Sequence, residues 1–282
     1  MAGTTIGVTP ISGALGAEVA GVDLAGSLGN DAFAAVHAAL LEHLVLYFPD
    51  QRLAPEDLMA FGRRFGELIV HPFLPHLDDH AEVMIVDKKE ELRINIGNGW
   101  HSDMSFLAEP LLATAIHARV TPRSGGDTLF TNMYAAYDAL SAGMKRLLDG
   151  LTAVHDYRDD FRRAARNGRT SVDAATIEAA HEAYPPAEHP VVRTHPETGR
   201  KALYVNRLFT SHFGGMTREE SRPLLGFLFE HSVRPEFTCR LRWQPQGLAL
   251  WDNRCTQHYA INDYHGHRRL MQRVTIKGDR PV

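Results

Sequence analysis

Seven short runs rich in β-branched and aromatic residues, at 44–48, 83–86, 111–118, 202–205, 237–243, 248–251 and 273–276, constrain the fold of this chain more than any other feature. Each has the length of a strand and is bounded by turn signals. The punctuation is explicit in Pro245-Gln246-Gly247 ahead of Leu248, Ser124-Gly125-Gly126-Asp127 ahead of Thr128, and Pro196-Glu197-Thr198-Gly199 ahead of Ala202. The last two are each placed to close a hairpin. Helical periodicity is confined to four places. Over 31–43, Phe33, Val36, Leu40 and Leu44 recur at three- and four-residue steps behind an Asn30/Asp31 cap. Over 55–65, Leu58, Phe61 and Phe65 form one stripe with Pro55 in the first turn, and 141–151 is capped by Ser141. A fourth helix runs to about 231, where Thr217 and Glu220 have the form of a capping box while Pro223 allows a start at Ser221.

Because strands do not alternate one for one with helices, a doubly wound α/β sheet is disfavoured. The expected fold is mostly β with flanking helices, a sandwich or barrel. No repeat or domain boundary is evident, so 1–282 is read as a single domain. Residues 157–186 are polar, Arg/Ala-rich and end at Pro185-Pro186, which suits a lid that orders over a bound substrate.

Charge and cysteine content narrow the partners. The 30 Lys+Arg stand against 34 Asp+Glu with no block of five like charges, so neither nucleic acid nor an anionic membrane is the expected partner. Any anion must be read by a few placed cations. Two cysteines, Cys239 and Cys255, make no disulfide framework, and neither a leader-like N-terminus nor a membrane-length apolar stretch occurs. The expected location is cytoplasmic. The 16 histidines are too many for abundance to select any one of them.

Chemistry is carried by Trp100-His101-Ser102-Asp103. On an extended strand, His101 and Asp103 lie two apart and share a face, so both side chains converge on one point while Trp100 and Ser102 turn away. A metal is the natural occupant. With His258, in Trp251-Asp252-Asn253-Arg254-Cys255-Thr256-Gln257-His258, the set becomes two histidines and one carboxylate, the facial triad of non-haem Fe(II) oxygenases. A zinc site more often recruits cysteine or a third histidine.

These motifs, with Leu15-Gly16-Ala17-Glu18-Val19, Gly21-Val22-Asp23-Leu24 and Gly125-Gly126-Asp127-Thr128 in the same order, resemble the taurine dioxygenase and 2,4-dichlorophenoxyacetate dioxygenase family over nearly the whole chain. The resemblance implies a double-stranded β-helix, or jelly-roll, with Fe(II) bound by His101, Asp103 and His258, and with 2-oxoglutarate and O2 as co-substrates. It implies that Thr128, 27 residues after His101, and Arg269, 11 after His258, hold the far carboxylate of 2-oxoglutarate. A bidentate guanidinium–carboxylate pair is why arginine rather than lysine is wanted there. Arg268 is the competitor in the wrong register, since only Arg269 and Arg273 share a strand face.

By the same resemblance Arg273, His71 and the backbone N–H of Met104 meet an anionic group of the substrate near the metal. Leu74 stands where taurine dioxygenases carry a tyrosine, and Gly97 replaces an asparagine, with Asn98 one residue on; a less polar substrate tail is the consequence expected. The implied reaction hydroxylates a C–H of a small anionic compound, an organosulfonate or alkyl sulfate ester, and the adduct collapses to an aldehyde with loss of sulfite or sulfate. Residues 94–99 also resemble the phenoxyacetate branch, which would release a phenol. Asp103 favours hydroxylation over halogenation, because halogenating relatives carry a small residue there. A zinc hydrolase leaves Thr128 and Arg269 without a purpose, and a non-catalytic sensor of the same fold is the remaining rival. The resemblance further implies a homo-oligomer, a dimer or tetramer.

Overall fold

A computed structural model describes residues 6–26, 28–72, 74–158 and 183–282. In chain order, β1 (Gly7–Pro10) and β2 (Ala17–Ala20) precede α1 (Asn30–His43), β3 (Val45–Phe48) and α2 (Pro55–Arg63). β4 (Leu68–Ile69), β5 (His76–Leu77) and β6 (His80–Lys88) lead to the long β7 (Leu111–Val120) and to β8 (Thr128–Asn132). Two short helices, α3 (Met133–Asp138) and α4 (Ala142–Leu148), are followed by β9 (Thr152–His155), β10 (Ala187–Pro190), β11 (Val192–Thr194), β12 (Lys201–Leu203) and β13 (Thr210–Phe213). The chain ends with α5 (Arg218–Ser232), β14 (Thr238–Leu241), β15 (Leu248–Asp252), β16 (Thr256–Ala260) and β17 (Arg269–Lys277).

Two sheets face one another. The larger runs β1-β2-β3-β15-β7-β17-β6-β5, with β4 also on β17, and the smaller is β14-β8-β16. Alternation along the strands fills two cores at once. On β15, Leu248 and Leu250 point toward α1 and α2, where they meet Val36, Leu40, Leu58 and Phe61, while Ala249 and Trp251 point into the space between the sheets. On β17, Val274 and Ile276 join the helical side and Met271 the inner side. Arg269, Thr275 and Arg273 therefore share the inner face with Met271, as their spacing requires. This is the jelly-roll sandwich with flanking helices that the resemblance implies.

All seven expected strands are present, with ends moved by up to four residues. Two local expectations need correction. Ser124-Gly125-Gly126-Asp127 closes no hairpin: β7 lies in the large sheet and β8 in the small one, so the segment is a crossover between sheets. Its glycines suit that task, since Gly126 takes φ 70 and a Cβ there would lie 3.2 Å from the Tyr264 ring and 3.3 Å from Arg269 Cδ. The hairpin expected at Pro196–Gly199 does form, joining β11 to β12. The cap of α1 is Gly29 without a side-chain bond, because Asn30 Oδ1 instead accepts from Arg64 Nη2 at 3.1 Å. For α5 the capping box of Thr217 and Glu220 prevails, and Pro223 is tolerated inside the helix, at the loss of one backbone bond. Helix α3 was not expected; the Asn132 side chain starts it by accepting from the N–H groups of Tyr134 and Ala135. Most of the expected lid, 159–182, lies outside the described residues.

One buried histidine ties the small β9-β10-β13 sheet to the segment after Asp103. His155 Nδ1 lies 2.9 Å from Ser105 Oγ, which also accepts from Asn206 Nδ2 at 2.9 Å. Burial, and secondarily the charge of His189, pushes the His155 pKa down to about 3. Since the folded value lies below the ordinary one, the unfolded chain takes up this proton first as pH falls, and stability is lost between about pH 6.5 and 3. Urea unfolding at pH 7.5 and at pH 5 is expected to show a decline about 2 kcal/mol smaller for His155→Asn than for the natural chain.

Candidate functional site

The small sheet carries His258 on β16, opposite Phe130 of β8. His101 is fastened to the edge of that strand by an isolated antiparallel bridge, its N–H donating to His258 O at 3.1 Å and its carbonyl oxygen accepting from the His258 N–H at 2.8 Å. The extended segment expected over 101–103 stops there. Ser102 Oγ donates to Asn253 O at 2.6 Å and Asp103 N–H to Asn253 Oδ1 at 3.2 Å, so side-chain bonds replace the ladder. Asp103 opens a turn in which Met104 adopts φ 47. A bridge and a turn, not strand periodicity, bring the three side chains together.

Their ligand atoms all lie within 4.8 Å of one another. Asp103 Oδ1 is 3.5 Å from His101 Nε2 and 3.7 Å from His258 Nε2. His101 Nδ1 sits 2.7 Å from Gly99 O, so that nitrogen carries a proton and Nε2 is the one turned toward Asp103. Burial, and then the charge of His101, holds His258 well below the ordinary histidine value, so its ring is neutral at pH 7. Burial would raise Asp103, but Arg273, His258 and His101 outweigh it and keep the carboxyl well below the usual range. An ionised carboxylate beside the neutral His258 ring and His101 Nε2 is a set of ligand atoms that a cation satisfies. Two nitrogens and one oxygen, with no thiolate, fit Fe(II) with open positions.

A second polar pocket lies at the start of β8 and β17. Arg269 is buried, and no carboxylate among the described residues lies within salt-bridge distance of it. Among the described residues its Nε has no hydrogen-bond partner, and neither do two nearby donors, the Tyr264 hydroxyl and Lys88 Nζ. Lys88 sits opposite Arg269 in the β6–β17 register, with Nζ 4.3 Å from the Tyr264 ring centroid. Trp243 joins the two expected residues: its Nε1–H donates to Thr128 Oγ1 at 2.9 Å, and its ring lies 5.5 Å from Arg269 Cζ. Because Thr128 accepts from the indole, its own proton is available to another acceptor. Buried, unpartnered donors of this kind fit a dianion such as 2-oxoglutarate. Arg268, in contrast, points outward and pairs with Asp87.

Of the residues expected on the substrate side, Arg273 lies against Asp103. Its Nη2 donates to Asp103 Oδ2 at 2.6 Å, and among the described residues its Nε has no hydrogen-bond partner. His71 lies in the same field: burial, followed by the charge of Arg273, pushes its pKa down to about 4, so it is a neutral donor at pH 7. Met104 is buried in an apolar cluster with Phe106, Tyr157 and Phe209, and the Phe209 ring stands edge-on to His101 at 6.0 Å. Leu74 and Asn98 are half-buried on flanking loops, and among the described residues no hydrogen bond joins either to the cluster.

Trp243, Lys88, Tyr264, Asn95 and Thr114 carry no local motif, and only the topology reveals that they face the site. A second cluster of metal-ligand types, His195, Asp252 and Cys255, is also buried. It differs in kind, because Asp252 is fully engaged by Arg254 and His195, and burial pushes the Cys255 thiol well up.

A family model described as "Taurine catabolism dioxygenase TauD, TfdA family" matches residues 7–275. The chain is similar to an alpha-ketoglutarate-dependent sulfate ester dioxygenase of Pseudomonas putida, at 35% identity over 98% of this chain and 90% of that protein. It is 34% identical to an alpha-ketoglutarate-dependent 2,4-dichlorophenoxyacetate dioxygenase of Cupriavidus pinatubonensis, over 97% of this chain and 98% of the other. Among solved structures, a taurine dioxygenase from Burkholderia xenovorans superposes with a TM-score of 0.82 at 38% identity, covering 98% of this chain and 92% of that one. Fold, site and sequence agree, and the chain belongs to the taurine catabolism dioxygenase TauD, TfdA family.

Proposed function

We propose that this protein is an Fe(II)- and 2-oxoglutarate-dependent dioxygenase, one domain over 1–282, that hydroxylates a C–H of a small anionic substrate, an alkyl sulfate ester or organosulfonate. The observation that carries the reading is the pairing of the His101, Asp103 and His258 acceptors with a separate buried Arg269 pocket. His101, Asp103 and His258 hold the metal in this reading. Arg269 and Thr128 hold the far carboxylate of 2-oxoglutarate. Bound together, iron and 2-oxoglutarate supply the chemistry that activates O2 and inserts oxygen into a C–H bond, with succinate and carbon dioxide as by-products.

The chain's own residues orient and exclude. Arg273, through its unpartnered Nε, and His71, as a neutral N–H donor, receive the anionic end of the substrate beside Asp103, and the Met104 N–H is a third donor. The apolar Met104, Phe106 and Phe209 side chains, with Leu74 in place of a tyrosine, suit a hydrocarbon tail and keep water from the reacting carbon. When the hydroxylated carbon bears the sulfate oxygen or sulfonate sulfur, the adduct collapses to an aldehyde. The resemblance to a sulfate ester dioxygenase supports this choice. An aryloxyalkanoate substrate is the second reading, favoured by the ring cluster of Phe106, Tyr157 and Phe209.

Chelation followed by anaerobic return of Fe(II) is expected to remove and restore succinate formation. Asp103→Ala is expected to abolish it. Arg269→Lys should raise the KM for 2-oxoglutarate about tenfold or more, whereas Arg268→Ala leaves it unchanged. Across a panel of alkyl sulfates, sulfonates and aryloxyalkanoates, succinate yield should rise most with a medium-chain alkyl sulfate and match the sulfate released. A larger response with phenol release favours the second reading, and 2-oxoglutarate binding with no turnover on any substrate favours a sensor. The chain is further expected to run as a dimer or tetramer in light scattering coupled to gel filtration.

A further inference from the structure

We propose that Thr114 is a positioning residue that holds the Asp103 carboxylate so that a single oxygen is presented to the metal, with Asn253 and Arg273 dictating where the Thr114 proton points. The inference rests on the metal-binding reading of His101, Asp103 and His258.

The two carboxylate oxygens of Asp103 have separate tasks. Oδ1 faces both histidine Nε2 atoms at 3.5 and 3.7 Å. Oδ2 is turned the other way, 2.9 Å from Thr114 Oγ1 and 2.6 Å from Arg273 Nη2. Thr114 lies on β7, fully buried, with its side chain on the inner face of the large sheet, so no water competes for its hydroxyl. That oxygen receives two hydrogen bonds, from Asn253 Nδ2 at 2.9 Å and from Arg273 Nη2 at 3.3 Å.

The orientation of the Asn253 amide follows from its neighbours. Its Oδ1 accepts from the Trp251 indole at 3.0 Å and from the Asp103 backbone N–H at 3.2 Å. Both are donors only, so the atom facing them is the oxygen and the atom facing Thr114 is the NH2. With both lone pairs of Thr114 Oγ1 occupied, its single proton has one acceptor left, Asp103 Oδ2. The β-branched side chain has little rotamer freedom with which to escape. Oδ2 is therefore committed to two charge-assisted bonds and is kept from swinging toward the metal. A facial triad has three further positions to offer, and a carboxylate bound through both oxygens would take one of them.

The test compares pairs that differ in the hydroxyl. Thr114→Val keeps the shape and loses the O–H; Thr114→Ser keeps the O–H. If the hydrophobic swap fails to fold, Thr114→Ala against Thr114→Ser gives the same comparison, because both lack the methyl and only one keeps the hydroxyl. Anaerobic titration with Co(II), followed by its visible absorption, reads metal affinity without turnover. The variants lacking the hydroxyl are expected to bind 10- to 100-fold more weakly, and Thr114→Ser within about threefold of the natural chain. The ratio of succinate formed to substrate hydroxylated is expected to rise only in the variants without the hydroxyl. Equal Co(II) affinity and equal coupling in Thr114→Val overturn the proposal, as does a loss in Thr114→Ser as large as in Thr114→Val. Absence of Co(II) binding in the natural chain overturns the metal-site reading and this inference together, whereas normal binding that is lost in His258→Ala isolates the test to Thr114.

Discussion

Two backbone hydrogen bonds between His101 and His258 determine the site, since they bring residues 157 positions apart in sequence into one antiparallel pair. The pair lies at the edge of the small sheet. From there both imidazoles face Asp103, whose carboxylate is gripped from the large sheet by Thr114 on β7 and Arg273 on β17. The candidate centre thus joins the two sheets of the sandwich. The core around Phe130, Trp251 and Met271 that holds the sheets together also fixes the distances among the three ligand atoms. Packing and chemistry are coupled here, because close-packed interiors transmit small displacements rather than absorb them.

Much of this was legible in the sequence, and for identifiable reasons. The strands were visible because β-branched runs between turn residues are a local signal. With the resemblance pointing to Arg269 and Arg273, parity on an assumed strand set Arg268 on the opposite face. The sheet to which a strand belongs is not a local property, which is why Ser124-Gly125-Gly126-Asp127 passed for a hairpin turn. Its glycines meet the demand of a crossover pressed against Tyr264 and Arg269, and the same residues would serve a tight turn. Likewise His101 and Asp103 were expected to converge through strand alternation, and they converge through a turn at Met104 that no propensity announces. The roles of Thr114 and Asn253 are not legible in the sequence, because hydroxyl and amide side chains acquire meaning only from the partners that long-range contacts deliver.

Two buried aspartate–arginine pairs in the 252–254 and 103/273 regions show how the same residue types serve different ends. In the first, Asp252 Oδ1 accepts from Arg254 Nε and the Arg254 N–H, and Oδ2 from Arg254 Nη2, with His195 Nε2 3.0 Å away; Arg254 Nη1 donates to Glu197 at 2.7 Å. Such a network leaves the carboxylate no capacity for a ligand, and it locks the loop between β15 and β16 that leads into the strand carrying His258. In the second pair the accounting is incomplete. Asp103 Oδ1 lies 3.5 and 3.7 Å from the two ring Nε2 atoms, and among the described residues neither Arg273 Nε nor His258 Nδ1 has a hydrogen-bond partner. Buried polar groups left in that state are costly, of order 1–3 kcal/mol each, so a fold retains them where something else completes them. By this criterion His195, Asp252 and Cys255 satisfy one another despite their metal-like spacing, whereas His101, Asp103 and His258, with Arg273 behind them, suit the proposed binding of a cation beside an anion.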